Sequence, residues 1–387
     1  MELKFTRRAI TLAASAITAA LVVACGGGGG SAAGPKVSIA RVVVAGDSLA
    51  DAGTFGAKFT VQKASDPSTG YPVYPQIVAQ NYGVTVPCNF FASSTGGASF
   101  TTKAGCTDYA VGGAQIVNPA TQGGATAPFS LGFQLATAAN VAGGAWQAND
   151  LIVVDAGGND TAALVGAYLG AATGAAGVAN YQAYLAQQLD AATIGALLPQ
   201  TNGAALAAGA YMQKLADTYW TTIKASTLDK GATHVAILNM PDVTLTPRFA
   251  GVLAQVSAAS GGGAAGAAAA TALQGAIRQW IQAFNTRLVA DVNGDARVAV
   301  VPFYEDFSDE VAHPTIYGIA NVTTPVCSET GFPATCVDAL LDASPLAGAA
   351  KGWWNTYLFS NNFHPTPYGH HLLAASVSRA LARAGWI

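Results

Sequence analysis

Ser48 closes the apolar run "RVVVAGDS", and a serine hydroxyl becomes a useful nucleophile near neutral pH only beside a positioned base. Histidine is the side chain that takes up and returns a proton in that range, and His313 and His364 both occur in the tripeptide "HPT". Between Ser48 and the histidines lie the glycine pair Gly112-Gly113 in "DYAVGGA" and Asn159 in "AGGND". A glycine lets a ligand approach the backbone closely, and a side-chain amide donates hydrogen bonds. These residue types suit attack of a hydroxyl on a carbonyl carbon. Alone, Ser48 reads as a serine capping a helix; four such blocks in this order are hard to produce by chance.

The elements that must position these residues are visible as four apolar, β-branched runs: "IARVVVAG" from Ile39, "DLIVVDAGG" from Asp150, "THVAILNM" from Thr233 and "ARVAVVPF" from Ala296. Continuous rather than alternating apolar runs are what a parallel sheet covered on both faces requires. A weaker strand is expected near "CTDYAVGG". Amphipathic stretches between the runs, such as "AIRQWIQAFNTRLVADV", predict an α/β/α sandwich, with Ser48 at the carboxyl edge of the first strand where open sheets bind ligands. Residues 161–203 and 251–270 are Ala- and Gly-rich and longer than simple connections need. They predict helical insertions, read either as a lid or as inert elaboration.

"GDSLADAG", "YAVGGA", "GGND" and "HPTPYGHHLLA" resemble, in order, the blocks of the GDSL or SGNH hydrolase family. The segments "NMPDVTLTP" and "PTIYGIANVTTPVC" are similar to its bacterial lipase-like branch, which includes the esterase domains of certain autotransporters, here without their barrel. The resemblance implies the three-layer SGNH fold with a mostly parallel, flavodoxin-like sheet over residues 37–387. It implies an esterase or lipase in which Ser48 attacks an acyl ester and His364 is the general base. The Ser48 N–H, the Gly113 N–H and the Asn159 amide would form the oxyanion hole, with Gly112 as an alternative to Gly113. His364 rather than His313 matches the family histidine because it lies on the loop entering the final helix. Asp47, Asp51, Asp160 and Asp242 are expected to order loops.

The sequence departs from the family at Asn361, where an aspartate normally orients the histidine. An amide carbonyl accepts the same hydrogen bond but brings no charge, and it can turn to offer a donor instead; in serine proteases the equivalent change costs roughly 10⁴ in kcat. Three readings follow: a working Ser48–His364 pair with Asn361 as neutral orienter, a carboxylate from elsewhere such as Glu310, Asp338 or Asp342, or lost activity. Acyl transfer or carbohydrate-ester deacylation at the same site is an alternative to hydrolysis, and so is a silent surface-binding lipoprotein. Trp353, Trp354 and Tyr357 read either as an acyl-chain site or as core. No metal or organic cofactor is called for.

Bulk properties set the compartment. Hydrophobic residues make up 51% and charged residues 10%, with a net charge of -3, which leaves no basic footprint for nucleic acid. Lys4, Arg7 and Arg8 precede an uncharged run that ends in "LVVAC", so residues 1–24 read as a signal peptide and Cys25 as a lipidation site. Residues 25–36 form a glycine-rich tether. Export, with the outer membrane or cell surface as the address, then makes Cys88–Cys106 and Cys327–Cys336 the disulfides that short loops favour. The expected partners are an acyl ester and, through the lipid, a membrane; a monomer is expected.

Overall fold

In the computed structural model, which describes residues 37–345 and 348–387, the four apolar runs become β1 (Arg41–Ala45), β2 (Asp150–Val154), β3 (Val235–Leu238) and β4 (Val298–Val301). The strands are parallel and lie side by side in chain order, and one row of Cα partners, Val43–Ile152–Val235–Val298, crosses all four. Outside β1, Thr107 accepts from the Val44 N–H at 2.9 Å and the Tyr109 N–H donates back to Val44 at 2.8 Å. The Val111 N–H continues this rung to Gly46 at 3.1 Å, but the weak strand expected near "CTDYAVGG" forms only isolated bridges and no full strand. The rung places the second stretch of the chain outside the first, the flavodoxin-like order. The expected signal peptide, Cys25 and most of the tether lie outside the described residues.

The helices are α1 (Tyr74–Tyr82), α2 (Leu131–Val141), α3 (Gly158–Gly170), α4 (Ala175–Leu185), α5 (Ala191–Leu197), α6 (Gly203–Ser226), α7 (Pro247–Ala259), α8 (Gly263–Val292), α9 (Phe303–Ala312), α10 (Asp338–Ala343) and α11 (Pro367–Arg383). Helices α1, α9 and α11 pack together on one side of the sheet, and α2, α6 and α8 on the other. Successive strand residues point to opposite faces, so Val43, Ala45, Ile152, Val154 and Ile237 meet Leu135, Tyr219 and Phe284 of the second layer. Strands β1, β2 and β3 are buried on both faces and have no use for alternation, which explains their continuous apolar runs, whereas the edge strand β4 alternates between half-buried and buried residues.

The two Ala/Gly-rich stretches are helical: the first contributes most of α3 with α4 and α5, the second the end of α7 and the start of α8. Packing requires glycine at one position where α7 and α8 meet: Gly266 of α8 faces α7 so closely that a Cβ would sit 2.3 Å from the Ser257 carbonyl oxygen, a separation no larger side chain tolerates. Both expected disulfides are present, Cys88–Cys106 and Cys327–Cys336.

Candidate active site

The chain leaves β1 at Ala45, and the next four residues turn across the carboxyl edge of the sheet, carrying Ser48. Gln134 of α2 clamps this turn, accepting from the Gly46 N–H at 2.8 Å and donating to the Gly46 carbonyl at 3.0 Å. Asp155, just past β2, accepts from the Asp47 N–H at 3.1 Å. From the far end of the chain, "FHPTPYGHH" delivers His364: Thr366 caps α11 by accepting from the Gly369 N–H, and Pro367 takes the first helical position, where its missing N–H is no loss. These local signals start the helix at Pro367, three residues after His364, and leave the imidazole on the entering loop.

His364 Nε2 lies 2.8 Å from Ser48 Oγ, and His364 Nδ1 lies 2.9 Å from Asn361 Oδ1. Asn361 Oδ1 also accepts from the Phe363 N–H at 3.0 Å and the His364 N–H at 2.7 Å. A carbonyl oxygen can only accept, so the ring proton belongs on Nδ1 and the Nε2 lone pair faces the Ser48 hydroxyl. Aromatic rings enclose the imidazole: Phe59 at 5.0 Å between centroids, Phe332 at 5.6 Å nearly parallel, and Phe363 edge-on at 5.7 Å. Burial among them, and then the Arg248 guanidinium, hold the imidazole neutral well below its ordinary 6.5.

The glycine pair divides its work. The Gly112 N–H donates to Asp51 Oδ2 at 2.8 Å, whereas among the described residues nothing accepts from the Gly113 N–H or the Ser48 N–H. Gly113 has φ +85°, a backbone that side-chain-bearing residues rarely adopt. Asn159, in the first turn of α3, donates one amide hydrogen to the Ala114 carbonyl at 3.0 Å, which leaves a second hydrogen on the same nitrogen. The three groups expected to bind an oxyanion therefore each retain a donor.

The buried aspartates order the loops. Asp51 accepts from the Gly53 and Thr54 N–H groups as well as from Gly112, and Asp160 accepts from the Ile116 and Val117 N–H groups. Burial pushes Asp160 up to about 6, against those hydrogen bonds. Asp242 accepts from the Thr244 N–H and pairs with Arg278. His313 is exposed and bonds to Asp309 at the end of α9, away from Ser48; His370 is buried and accepts from the Tyr74 N–H.

The three carboxylates considered as substitutes do not contact His364. Asp338 accepts from Tyr71 Oη, Asp342 from Trp354 Nε1, and Glu310 borders an apolar cavity where burial pushes it up to about 7. The carboxylate that does reach this loop is Glu329, unmarked by any motif. Its Oε2 accepts from Asn361 Nδ2 at 3.1 Å, and its Oε1 accepts from the Asn362 N–H at 2.6 Å. A cavity of about 70 Å³ beside Ser48 is lined by Leu49, Val243, Phe307, Phe359, Phe363 and Leu373 among others. Neither 161–203 nor 251–270 contributes to its wall. Trp354 packs instead with Val61 and Cys336 in a small core under the second disulfide, with Trp353 against it.

A search among curated proteins finds no match to this chain. A profile described as GDSL-like Lipase/Acylhydrolase matches residues 42–377, from the second residue of β1 into the middle of α11, and so spans the sheet, both loops that carry Ser48 and His364, and the segments between them. With the parallel sheet, its flanking helix layers and this coverage, the chain belongs to the GDSL-like lipase/acylhydrolase family and is a hydrolase.

Proposed function

We propose that the protein is an exported serine esterase that cleaves carboxylic esters through an acyl-enzyme on Ser48. The observation that carries this reading is the 2.8 Å contact between Ser48 Oγ and His364 Nε2, in the tautomer that leaves Nε2 free to accept a proton. Ser48 Oγ attacks the ester carbonyl carbon while its proton passes to Nε2. The carbonyl oxygen takes the negative charge, facing the Ser48 and Gly113 N–H groups and the Asn159 amide. When the intermediate collapses, the imidazolium returns its proton to the leaving alcohol. Water, deprotonated by the same nitrogen, then attacks the acyl carbon and frees the carboxylate and Ser48.

The cavity beside Ser48 supports acyl groups as the bound moiety, since its walls are largely aliphatic and aromatic side chains; about 70 Å³ suits a short chain. The two disulfides support an oxidising compartment, and residues 1–25 support a signal peptide with lipidation at Cys25. In this reading the lipid and the 25–36 tether hold a monomeric domain at a membrane surface. Among the described residues no helix is long and apolar enough to cross a membrane.

The purified protein is expected to hydrolyse p-nitrophenyl butyrate and to form an organophosphonate adduct on Ser48, with both lost in Ser48→Ala. Asn159→Ala is expected to lower kcat by about 10²-fold, the usual cost of one oxyanion donor. A parent that turns over no ester and takes no adduct would end this reading.

A further inference from the structure

We propose, resting on the esterase reading above, that Glu329 is a positioning residue for His364: its carboxylate locks the Asn361 amide and supplies, one residue removed, the negative charge that Asn361 lacks. The geometry allows one arrangement. A carboxylate only accepts hydrogen bonds, so Glu329 Oε2, 3.1 Å from Asn361, must face the amide nitrogen. That turns Oδ1 toward His364 Nδ1, where the Phe363 and His364 N–H groups also donate to it. The amide is thereby held against the flip that would present a donor to Nδ1 and force the ring proton onto Nε2, leaving Ser48 without a base. The order Ser48–His364–Asn361–Glu329 is a continuous hydrogen-bonded chain ending in a carboxylate. Each donor in it polarises the next when the imidazolium forms.

The fold builds this contact from outside any sequence block. Glu329 lies in the loop closed by Cys327–Cys336, a sequence separation of 9. The segment before it is tied to the histidine loop, with the Val326 N–H donating to Phe359 at 3.1 Å and the Cys327 N–H to Ser360 at 2.8 Å. The same span carries Phe332 onto the imidazole face. One cross-linked loop thus presents both the carboxylate and a wall of the histidine's enclosure. The charged groups facing this assembly are Glu329 on one side and Arg248, whose guanidinium lies 5.2 Å from the Phe363 ring, on the other.

The contact also predicts what restoring an aspartate would do. Asn361→Asp places a second carboxylate where Glu329 now receives a donor, so the two repel and the single change does not improve the enzyme. Asn361→Asp/Glu329→Gln exchanges the two roles, since the glutamine amide donates to the new carboxylate.

The test is a double-mutant cycle in the full-length protein, reading kcat, KM and the pH profile for p-nitrophenyl butyrate, with Ser48 titrated by phosphonate in each variant. Glu329→Gln and Glu329→Ala are expected to lower kcat about tenfold with KM within twofold, and to move the acid limb to lower pH because the imidazolium loses a nearby negative charge. Asn361→Asp/Glu329→Gln is expected to recover parental kcat. The proposal is overturned if both Glu329 variants keep kcat within twofold and an unshifted acid limb. It is overturned equally if kcat falls but the double exchange does not recover it, since Glu329 would then only hold the loop. Failure of the parent to turn over or to label would instead remove the esterase reading itself.

Discussion

Gly112 lies against Phe59 so closely that a Cβ there would sit 2.2 Å from the Phe59 ring, and that ring is one of the walls of the His364 imidazole. The backbone under the site is therefore also the floor of the histidine's enclosure. Gly112 has an ordinary φ, so its glycine is required by this approach and not by backbone strain, whereas its neighbour Gly113 is required by its φ of +85°.

Gly112→Ala must push Phe59 toward His364. Overpacking of this kind costs about 1–3 kcal/mol. A displacement of the base by even about 1 Å can lower the rate by as much as 10²-fold. We expect a modest drop in thermal midpoint by calorimetry and a loss of at least tenfold in kcat. A variant with the parental kcat would show that Phe59 does not set the position of His364.

The pH dependence of the proposed mechanism follows from the state of its base. In that mechanism His364 acts when neutral, and burial among Phe59, Phe332 and Phe363, followed by Arg248, lowers its pKa from 6.5. The neutral form is thus fully populated above 6.5 and persists as pH falls through that value. The kcat/KM profile for a short p-nitrophenyl ester is expected to stay flat through 6.5 and to fall only at lower pH. An acid limb centred at 6.5 or above would contradict the enclosure.

The two disulfides separate stability from activity. With sequence separations of 18 and 9, chain-entropy arguments give each bridge about 2.5–3 kcal/mol, nearly the same amount. Only Cys327–Cys336 spans residues that touch the histidine loop. Replacing either pair by alanine is expected to lower the denaturant midpoint similarly, while the Cys327→Ala/Cys336→Ala protein loses severalfold more kcat than Cys88→Ala/Cys106→Ala. Equal losses of activity would place the second bridge outside the site's support.

The sequence by itself determined the elements and the types of the reacting groups, because both are local. The first three β-branched runs report burial on two faces, the Thr366-Pro367 start of α11 fixes where the histidine loop ends, and the blocks that resemble the family point to Ser48, Gly113, Asn159 and His364. The rung at Thr107–Val111 was only faintly legible, since a few hydrogen bonds to Val44 and Gly46 replace a full strand. The tertiary structure alone decided which neighbour each group keeps. It committed the Gly112 N–H to Asp51 and left Gly113 free, buried Trp354 in a small core away from Ser48, and sent Asp338 and Asp342 to Tyr71 and Trp354. It also brought Glu329 to Asn361 across 32 residues of chain. No periodicity or spacing encodes that contact: it exists because a cross-linked loop is zipped to the segment before His364, and a carboxylate beside an amide settles which way the amide must face.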